Sequence, residues 1–394
     1  TELAASSHTA PARKISTAWH ATYRLPTSIT EPTTSGSKVS SYTYDASGNV
    51  LTRSITAGGN TRTWTYSNYD TFGRVGAMDG PRSDVADAIS YTYYANTPAE
   101  GTNRGMLHTV TNAAGHVTTI TSYNAFGQPL SMTDANGLVT TMTYDARQRL
   151  KTRNTGGETT SYDYDNAGQL IKVTMPDGSY LDYTYDGAHR LKQIADGLGN
   201  KVVYTLDNMG NRTKEDYKDP ANAIARTRSR EFDSLNRLKK DIGGISVSQA
   251  TQYAYDANGN QTSSTDPLNR VTSQTYDALN RLLNVIDPVN GAGAPTKYEY
   301  DAQDNLTKVT DPKNLATTYV YNGFNELSSQ TSPDTGTTSF TYDAAGNLLT
   351  RTDARNVTAT YTYDNLNRVA TISYPAYGSD PAETVTYTYD SCTN

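Results

Sequence analysis

Tyr342-Asp343-Ala344-Ala345-Gly346-Asn347-Leu348 is one copy of the motif that decides the fold of this chain. The motif reads Tyr-Asp-x-x-Gly/Asn-Asn/Arg-Leu/Val and recurs about every 21 residues along nearly the whole sequence. An early copy is Tyr44-Asp45-Ala46-Ser47-Gly48-Asn49-Val50. A fixed period of this length is the signature of a repeat array. Such an array builds a surface or a container, and it is a poor place to look for a single active site.

The motif has the chemistry of a tight turn. The Asp carboxylate can accept a hydrogen bond from the backbone two residues further on, and the residue three beyond the Asp is Gly or Asn, which best tolerate positive φ. The spacing predicts a type I turn followed by a left-handed residue in a bulge. The motif residues to which we assign this structural role are Tyr44, Asp45, Gly48, Tyr144, Asp145, Tyr164, Asp165, Gly168, Tyr185, Asp186, Tyr255, Asp256, Gly259, Tyr276, Asp277, Tyr300, Asp301, Tyr342, Asp343, Gly346, Tyr363 and Asp364.

Each repeat reads as a β-hairpin. In residues 342–364, a strand over 348–352 is followed by a second turn over 353–356 and a returning strand over 357–363. On the returning strand, the residue two before the motif Tyr shares its face and is often aromatic, and the residue between them is commonly Thr. Cross-strand aromatic and Thr pairs contribute roughly 0.2–1 kcal/mol each. Their sum can hold a one-dimensional array together without a thick core.

The composition supports an ordered β-protein. Only 35% of the residues are hydrophobic and the mean hydropathy is -0.67, yet the chain has 31 Tyr against 5 Phe and 2 Trp. Tyr, Thr and Val favour strands, and the strict punctuation argues against disorder. We therefore predict an all-β fold, an array of about fifteen antiparallel hairpins that forms a curved or spiralling ribbon.

The domain prediction is a lead-in segment over residues 1–40 and a repeat array over residues 41–394 that is truncated at its C-terminal end. Departures from the period near 76–104, 217–231 and 288–295 predict loops, and no segment has a helical period. Truncation is expected because Tyr389-Asp390-Ser391-Cys392 opens a turn that is not completed.

Charge and composition exclude several partners. The net charge is -6 and the two signs are interspersed, which gives no footprint for nucleic acid or for an anionic membrane. No apolar run approaches the ~20 residues of a membrane span, and Thr1–Ser7 lacks the features of a secretory signal. The single cysteine, Cys392, permits no intrachain disulfide.

No catalytic, cofactor or metal site is predicted, and the chain is not expected to be an enzyme. Paired carboxylates occur everywhere because Asp starts most turns, so they do not indicate a hydrolase. Asp256-Ala257-Asn258-Gly259-Asn260 resembles half of a calcium loop but lacks the later Glu. The histidines lie in scattered contexts without a catalytic motif: His8, His20, His108, His116 and His189.

The repeats resemble those of the Rhs/YD-repeat family, which includes bacterial Rhs polymorphic toxins, the shell subunits of insecticidal toxin complexes and, distantly, the teneurins. The resemblance covers roughly residues 40–394. It implies a β-ribbon wound into a hollow shell around a C-terminal toxin. In that family a core region with an Asp-Pro-x-x-Gly-Leu motif cleaves the toxin from the rest of the protein. Asp266-Pro267, Asp287-Pro288 and Asp311-Pro312 lack the Gly-Leu, so no catalytic residue is carried over.

The resemblance implies a non-catalytic shell segment of an exported protein, secreted or at the cell surface. Its partners would be its own C-terminal core and toxin cargo and the export machinery, with neither nucleic acid nor a membrane span. Two alternatives stay open. The chain could be an adhesin that binds glycans through Tyr and Asn, or a repeat protein that self-associates through its ribbon edges into a filament.

Overall fold

The computed structural model describes residues 14–33, 36–243, 249–289 and 293–389. The predictions made for the N-terminal Thr1–Ser7, for His8 and for Asp390-Ser391-Cys392 lie outside the described residues. The chain divides into two compact units. The first unit comprises Thr1–Tyr93, Leu107–Thr118 and Thr296–Asn394, and the second comprises Tyr94–Met106 and Thr119–Pro295.

The described residues form 33 strands and one short 3-10 helix, Pro98–Asn103. The strands of the first unit are β1 (Ser16–Trp19), β2 (Pro26–Thr33), β3 (Gly36–Tyr44), β4 (Val50–Ala57), β5 (Asn60–Ser67), β6 (Ala77–Asp79), β7 (Ile89–Tyr93), β8 (Leu107–Thr111), β25 (Thr296–Tyr300), β26 (Leu306–Thr310), β27 (Ala316–Tyr321), β28 (Leu327–Ser332), β29 (Gly336–Tyr342), β30 (Leu348–Thr352), β31 (Thr358–Tyr363), β32 (Val369–Tyr374) and β33 (Glu383–Thr386).

The second unit carries the remaining strands. They are β9 (Val117–Tyr123), which crosses the boundary between the units, β10 (Pro129–Thr133), β11 (Val139–Tyr144), β12 (Leu150–Thr155), β13 (Glu158–Tyr164), β14 (Leu170–Thr174), β15 (Tyr180–Tyr185), β16 (Leu191–Asp196), β17 (Lys201–Leu206), β18 (Arg212–Lys218), β19 (Ile224–Phe232), β20 (Leu238–Ile242), β21 (Ala250–Tyr255), β22 (Gln261–Thr265), β23 (Val271–Tyr276) and β24 (Leu282–Ile286).

Within each unit, strands that follow one another in sequence pair antiparallel. The first unit holds two such series, β1 to β8 and β25 to β33. The second unit holds one series, β9 to β24. The prediction of an all-β array of antiparallel hairpins is confirmed.

Two kinds of turn alternate along each series. We call the turn that starts at the motif Asp the YD turn, and the turn at the opposite end of the strands the distal turn. The register shifts by one residue at the motif Tyr, for example between Thr341 and Tyr342, which is the bulge expected from the turn chemistry. The YD turns therefore lie along one edge of each series and the distal turns along the other.

The sheet is a single layer with little core. Among the described residues, no large side chain falls below 2% exposure, and the buried apolar residues are Ala57, Tyr123, Val173, Tyr204, Ile242, Ala250 and Ala359. A single layer leaves both faces partly open to solvent, so hydrogen bonds and neighbour contacts must supply what a thick core supplies elsewhere.

Two predicted irregular segments and the predicted lead-in segment contain regular structure. Residues 217–231 are not a loop but belong to the antiparallel hairpin β18–β19, whose register shifts once, between Tyr217 and Lys218. Residues 76–104 contain β6, β7 and the 3-10 helix, whose first residue is Pro98, a residue suited to a helix start. Within residues 1–40, hairpins already begin at Ser16.

Candidate functional site

The YD turn is held by one carboxylate. In the turn that starts at Asp343, Oδ1 accepts hydrogen bonds from the backbone N–H groups of Ala345 (2.9 Å) and Asn347 (2.8 Å). The Asn347 side-chain amide donates to Oδ2 at 2.9 Å. Gly346 has a φ of 92°, as the left-handed fourth position requires. This agrees with the turn type expected from the sequence.

The same geometry recurs at the other predicted motif positions. Asn124 and Asn322 replace the Asp, and each accepts the same two backbone bonds through Oδ1. The carboxylates that accept both bonds in YD turns are Asp45, Asp70, Asp145, Asp186, Asp207, Asp233, Asp256, Asp277, Asp301, Asp343 and Asp364. Asp165 accepts from the N–H of Gln169 at 2.8 Å.

At several of these turns, the hydrogen bonds stabilise the charged form of the carboxylate and lower its pKa. At Asp186 the guanidinium of Arg190, followed by the Arg190 backbone N–H, lowers the pKa to about 2. At Asp277 burial alone would raise the pKa, but the Arg281 backbone N–H and guanidinium outweigh it and lower the pKa. The Asp side chains of these two turns are therefore held in their ionised form.

The motif tyrosines close the open end of each hairpin. The Tyr164 hydroxyl donates to the backbone carbonyl of Leu150 at 3.0 Å, and the Tyr342 hydroxyl donates to that of Leu327 at 2.8 Å. In both cases the acceptor is the first residue of the strand that leaves the preceding YD turn. The same bond is made by Tyr44, Tyr69, Tyr93, Tyr144, Tyr185, Tyr255, Tyr276, Tyr363 and Tyr389.

Burial raises the pKa of several of these phenols, including Tyr144, Tyr342 and Tyr363. The hydroxyl is thus kept neutral and used as a donor inside the array. On the opposite face, Thr side chains pair across strands, as at Thr341 and Thr350 (2.6 Å) and at Thr362 and Thr371 (2.7 Å). The predicted Thr rows are therefore present as hydrogen-bonded pairs.

Successive YD turns are joined into a ladder along their edge. Where the last residue of a turn is Asn, its amide donates to the left-handed Asn of the next turn: Asn260 to Asn280 at 2.8 Å, and Asn347 to Asn367 at 2.8 Å. Asn211 and Asn305 make the same bond to Asn236 and Asn325.

Arg at the same position uses a different acceptor. The Arg190 guanidinium donates to the Asp207 backbone carbonyl at 2.8 Å, and that of Arg237 donates to the Asp256 carbonyl at 2.9 Å. In the turns that receive these bonds the left-handed residue is Gly210 or Gly259. From 207 to 277 the turns therefore alternate between Gly-Asn and Asn-Arg, so that each turn carries the acceptor its neighbour needs.

Inside the first unit, the two series of strands meet along a seam. The distal turn between β4 and β5 lies against the YD turn that starts at Asn322. A Cβ on Gly323 would lie 2.8 Å from the backbone nitrogen of Gly58 and 2.9 Å from the Cβ of Ala57, so only glycine fits there. Ala57 is 1% exposed.

Arginine side chains fix this seam. The Arg62 guanidinium lies 4.0 Å from the centre of the Phe324 ring and 2.7 Å from a Glu326 carboxylate oxygen. Further along the seam, the Gln303 amide donates to the Pro32 backbone carbonyl at 2.9 Å. Arg62 and Glu326 are 264 residues apart in the sequence, and Pro32 and Gln303 are 271 residues apart.

Arg82 is the most enclosed cation of the seam, with a side chain that is 2% exposed. Its Nη1 donates to the backbone carbonyl of Asp364 at 2.6 Å and to Asn367 Oδ1 at 3.2 Å, and its Nη2 donates to the Tyr363 carbonyl at 3.2 Å. Asp84 forms the ion pair at 2.6 Å. The Arg82 guanidinium thus donates charge-assisted hydrogen bonds to the backbone carbonyls at the start of a YD turn.

The predicted motif residues lie at repeated turns and do not converge on one centre. Sequence reasoning missed the seam, Arg62 and Arg82. The available signals were the pair Gly58-Gly59 and the broken period around Arg82. Among the described residues, no group of three His, Cys, Asp or Glu side chains could hold a metal ion. None of these residues form a helix with the length and hydropathy of a membrane span.

Two protein-family models match the repeats of this chain. The family model described as teneurin YD-shell matches residues 89–214. The RHS repeat model matches residues 255–292, 289–316, 300–337, 321–358 and 342–379. No curated protein sequence matches the chain significantly.

A solved structure shares the fold at low identity. A Photorhabdus luminescens Tc holotoxin pore matches with a TM-score of 0.53 and 15% identity over 91% of this chain and 24% of that chain. A complex described as TcdB2-TccC3-Cdc42 matches with a TM-score of 0.44 and 14% identity over 94% of this chain and 27% of that chain. The chain thus spans about a quarter of the length of these structures.

The hairpin series and their ladders of turns define a tandem β-hairpin repeat protein. Its repeats are those that the teneurin YD-shell and RHS repeat models describe. The resemblance indicated by the Tyr-Asp motif is confirmed.

Proposed function

We propose that this chain is a non-catalytic wall segment of an exported Rhs-type protein, and that the wall encloses a toxin carried at the C-terminal end of the complete protein. The observation that carries the proposal is the seam of the first unit. There, the distal turns of an early stretch close against the YD turns of a stretch that lies 264 to 285 residues later. A wall that retains a cargo needs such edge-to-edge closure.

The use of polar groups also supports a structural role. The motif carboxylates, the motif hydroxyls and the last Asn or Arg of each YD turn are engaged within the array. Glycan binding through the motif tyrosines gains no support, because their hydroxyls already donate to backbone carbonyls. The likeness to toxin-complex structures supports the fold of such a wall.

The proposal is tested by protease protection in the complete gene product. A protease is added to the purified protein, and cleavage of the polypeptide encoded after Asn394 is followed over time by mass spectrometry. We expect that polypeptide to survive in the unmodified protein and to be cut faster in the double variant Arg62→Ala/Arg82→Ala, which opens the seam. Arg270→Ala is the matched control, because it removes only an exposed ion pair with Asp266 in a distal turn. Digestion of that polypeptide at the rate of the isolated peptide would overturn the proposal.

Export is tested separately by locating the complete protein in the producing cells. We expect it in the medium or on the cell surface. Retention in the cytoplasm under all growth conditions would contradict this part of the proposal and leave the enclosing wall unaffected.

A further inference from the structure

The turn tips of the second unit carry large apolar side chains where solvent-exposed turns ordinarily carry polar ones. The third residue of four YD turns is Phe126, Met209, Leu235 or Leu279, with exposures of 72%, 71%, 64% and 51%. Turn positions normally favour Gly, Pro, Asn, Asp and Ser. Single exposed apolar residues are ordinary, but a set that recurs at one turn position along one edge marks an interaction surface.

The distal edge of the same unit shows the same feature. The third residue of three distal turns is Leu198, Leu268 or Val289, with exposures of 80%, 71% and 85%. The second unit therefore presents an apolar row of tips on its YD edge and another on its distal edge.

The seam of the first unit shows what covers such tips. At the same third position, Phe324 and Leu366 are half-buried in turns that the seam contacts, whereas Phe72 of the same unit is 61% exposed, comparable to Phe126. Phe324 lies under Arg62, beside the distal turn that contains Gly58. A distal edge is thus a partner that fits a YD edge, and the contact joins unlike edges.

We propose that the YD edge of the second unit is a docking surface for the distal edge of the second unit in a second copy of this chain. The seam supplies the precedent, and the apolar tips on both edges supply matching chemistry. Because the contact joins one edge to the opposite edge, it is heterologous, and a pair of copies still has one free YD edge and one free distal edge. Association therefore extends beyond a dimer.

The test uses sedimentation velocity on the purified 394-residue chain over a concentration series. We expect a size distribution that grows with concentration without reaching a fixed oligomer. Met209→Glu/Leu235→Glu blocks the YD edge, and Leu198→Glu/Leu268→Glu blocks the distal edge. Each double variant is expected to weaken association by about tenfold or more, since hot-spot residues dominate an interface.

A mixture of the two double variants separates this contact from any other. One variant keeps its distal edge and the other keeps its YD edge, so the mixture should form one-to-one dimers that cannot extend. Ile171→Glu/Val271→Glu adds the same charge to exposed strand positions and should associate like the unmodified chain. Circular dichroism confirms that each variant is folded.

Two outcomes would overturn the inference. The first is an unmodified chain that stays monomeric at every concentration, as it would if these edges only accept ribbon from another part of a longer protein. The second is a double variant that forms dimers by itself, without the other variant, which would show that like edges pair. Neither outcome bears on protection of a cargo.

Discussion

Asp277 shows how much of a YD turn depends on a single side chain. Its Oδ1 accepts from the backbone N–H groups of Leu279 and Arg281, both at 2.9 Å, and its Oδ2 forms an ion pair with the Arg281 side chain at 2.7 Å. The side chain is only 4% exposed. Removing it leaves two backbone donors without their acceptor, and the Arg281 N–H is partly buried, so the loss is costlier than that of a surface contact.

Asp277→Ala is expected to lower the local free energy of opening by about 1–3 kcal/mol, because these donors lose their acceptor. Asp277→Asn is expected to cost less, since Asn124 and Asn322 make the same backbone bonds in other copies. Hydrogen exchange of the Arg281 amide measures both effects. Equal losses in the two variants would show that charge, and not turn geometry, holds the turn.

A second prediction at this scale concerns acid. The pKa of Asp186 is about 2 in the folded chain and about 3.9 in an unfolded one. A depressed pKa contributes stability that is present above the unfolded value, so this stability is lost as the pH falls from about 4 to about 2. Since Asp45, Asp145 and Asp256 also have lowered pKa values, the array should unfold in that window.

The measurement is the thermal midpoint followed by circular dichroism as the pH is lowered. Asp186→Asn should show a shallower decline than the unmodified chain, because its turn no longer contains a group that must be protonated. An identical decline in both proteins would place the acid sensitivity at other carboxylates.

The YD turn could be predicted from the sequence because all the residues that form it are close together in the chain. An Asp, a left-handed Gly or Asn three residues later and a following strand all lie within one heptapeptide, such as 342–348. The hydroxyl bond of Tyr342 was not readable, because its acceptor, Leu327, lies 15 residues away and is a backbone carbonyl. The amino-acid types do not indicate which backbone carbonyl a bulge leaves available as a hydrogen-bond acceptor.

At the scale of the hairpin, the motif hydroxyl closes the open end. Tyr342→Phe should destabilise the hairpin β28–β29 by about 0.5–1.5 kcal/mol, the net contribution of one hydrogen bond. Tyr361→Phe is the matched control, since Phe340 occupies the same position in the preceding copy. Hydrogen exchange in β28 and β29 reports the difference. Equal behaviour of the two variants would contradict the role assigned to the hydroxyl.

The ladder between turns gives a prediction for neighbouring elements. Asn280 has a φ of 62°, and its Oδ1 accepts from the side-chain amides of Asn260 at 2.8 Å and Asn258 at 3.0 Å. Asn280→Gly keeps the backbone conformation accessible and removes only this acceptor, so it should loosen the two turns by about 0.5–1.5 kcal/mol. The readout is exchange of the Asn260 and Asn280 amides.

Asn314→Gly provides the control for this ladder variant, because Asn314 has a similar φ of 63° in a distal turn. It should change exchange by only a few tenths of a kcal/mol. If both glycine variants loosen their turns equally, the effect belongs to backbone freedom and the ladder contributes nothing measurable.

At the scale of the molecule, the repeat period predicted the hairpin series but not the seam. Arg62 and Glu326 are 264 residues apart, and Arg82 and Asp364 are 282 apart. Arg82 lies in the segment 76–104, which the period identifies only as a departure. Local patterns specify turns and strands, whereas contacts between distant turns depend on how many repeats intervene and on their accumulated twist.

Arg82 is where the seam can be broken by one substitution. Arg82→Ala should lower the stability of the seam by about 2–3 kcal/mol, because a charged donor to two backbone carbonyls and to Asn367 is lost from an enclosed position. Arg82→Lys should recover only part of this, since an ammonium cannot present the planar fork that reaches the Tyr363 and Asp364 carbonyls together. Hydrogen exchange of the Leu366 and Asn367 amides reads the opening directly.

The contrast with an exposed arginine makes this prediction specific. Arg355 pairs with Asp353 at 2.7 Å, but its side chain is 61% exposed. Arg355→Ala should therefore cost below about 1 kcal/mol and leave exchange in the YD turn at Asp364 unchanged. If Arg82→Ala is equally mild, the seam is held by the backbone contact between Gly58 and Gly323, and the guanidinium only fills space. If it is severe, a segment that breaks the period is what ties two distant stretches of the first unit together.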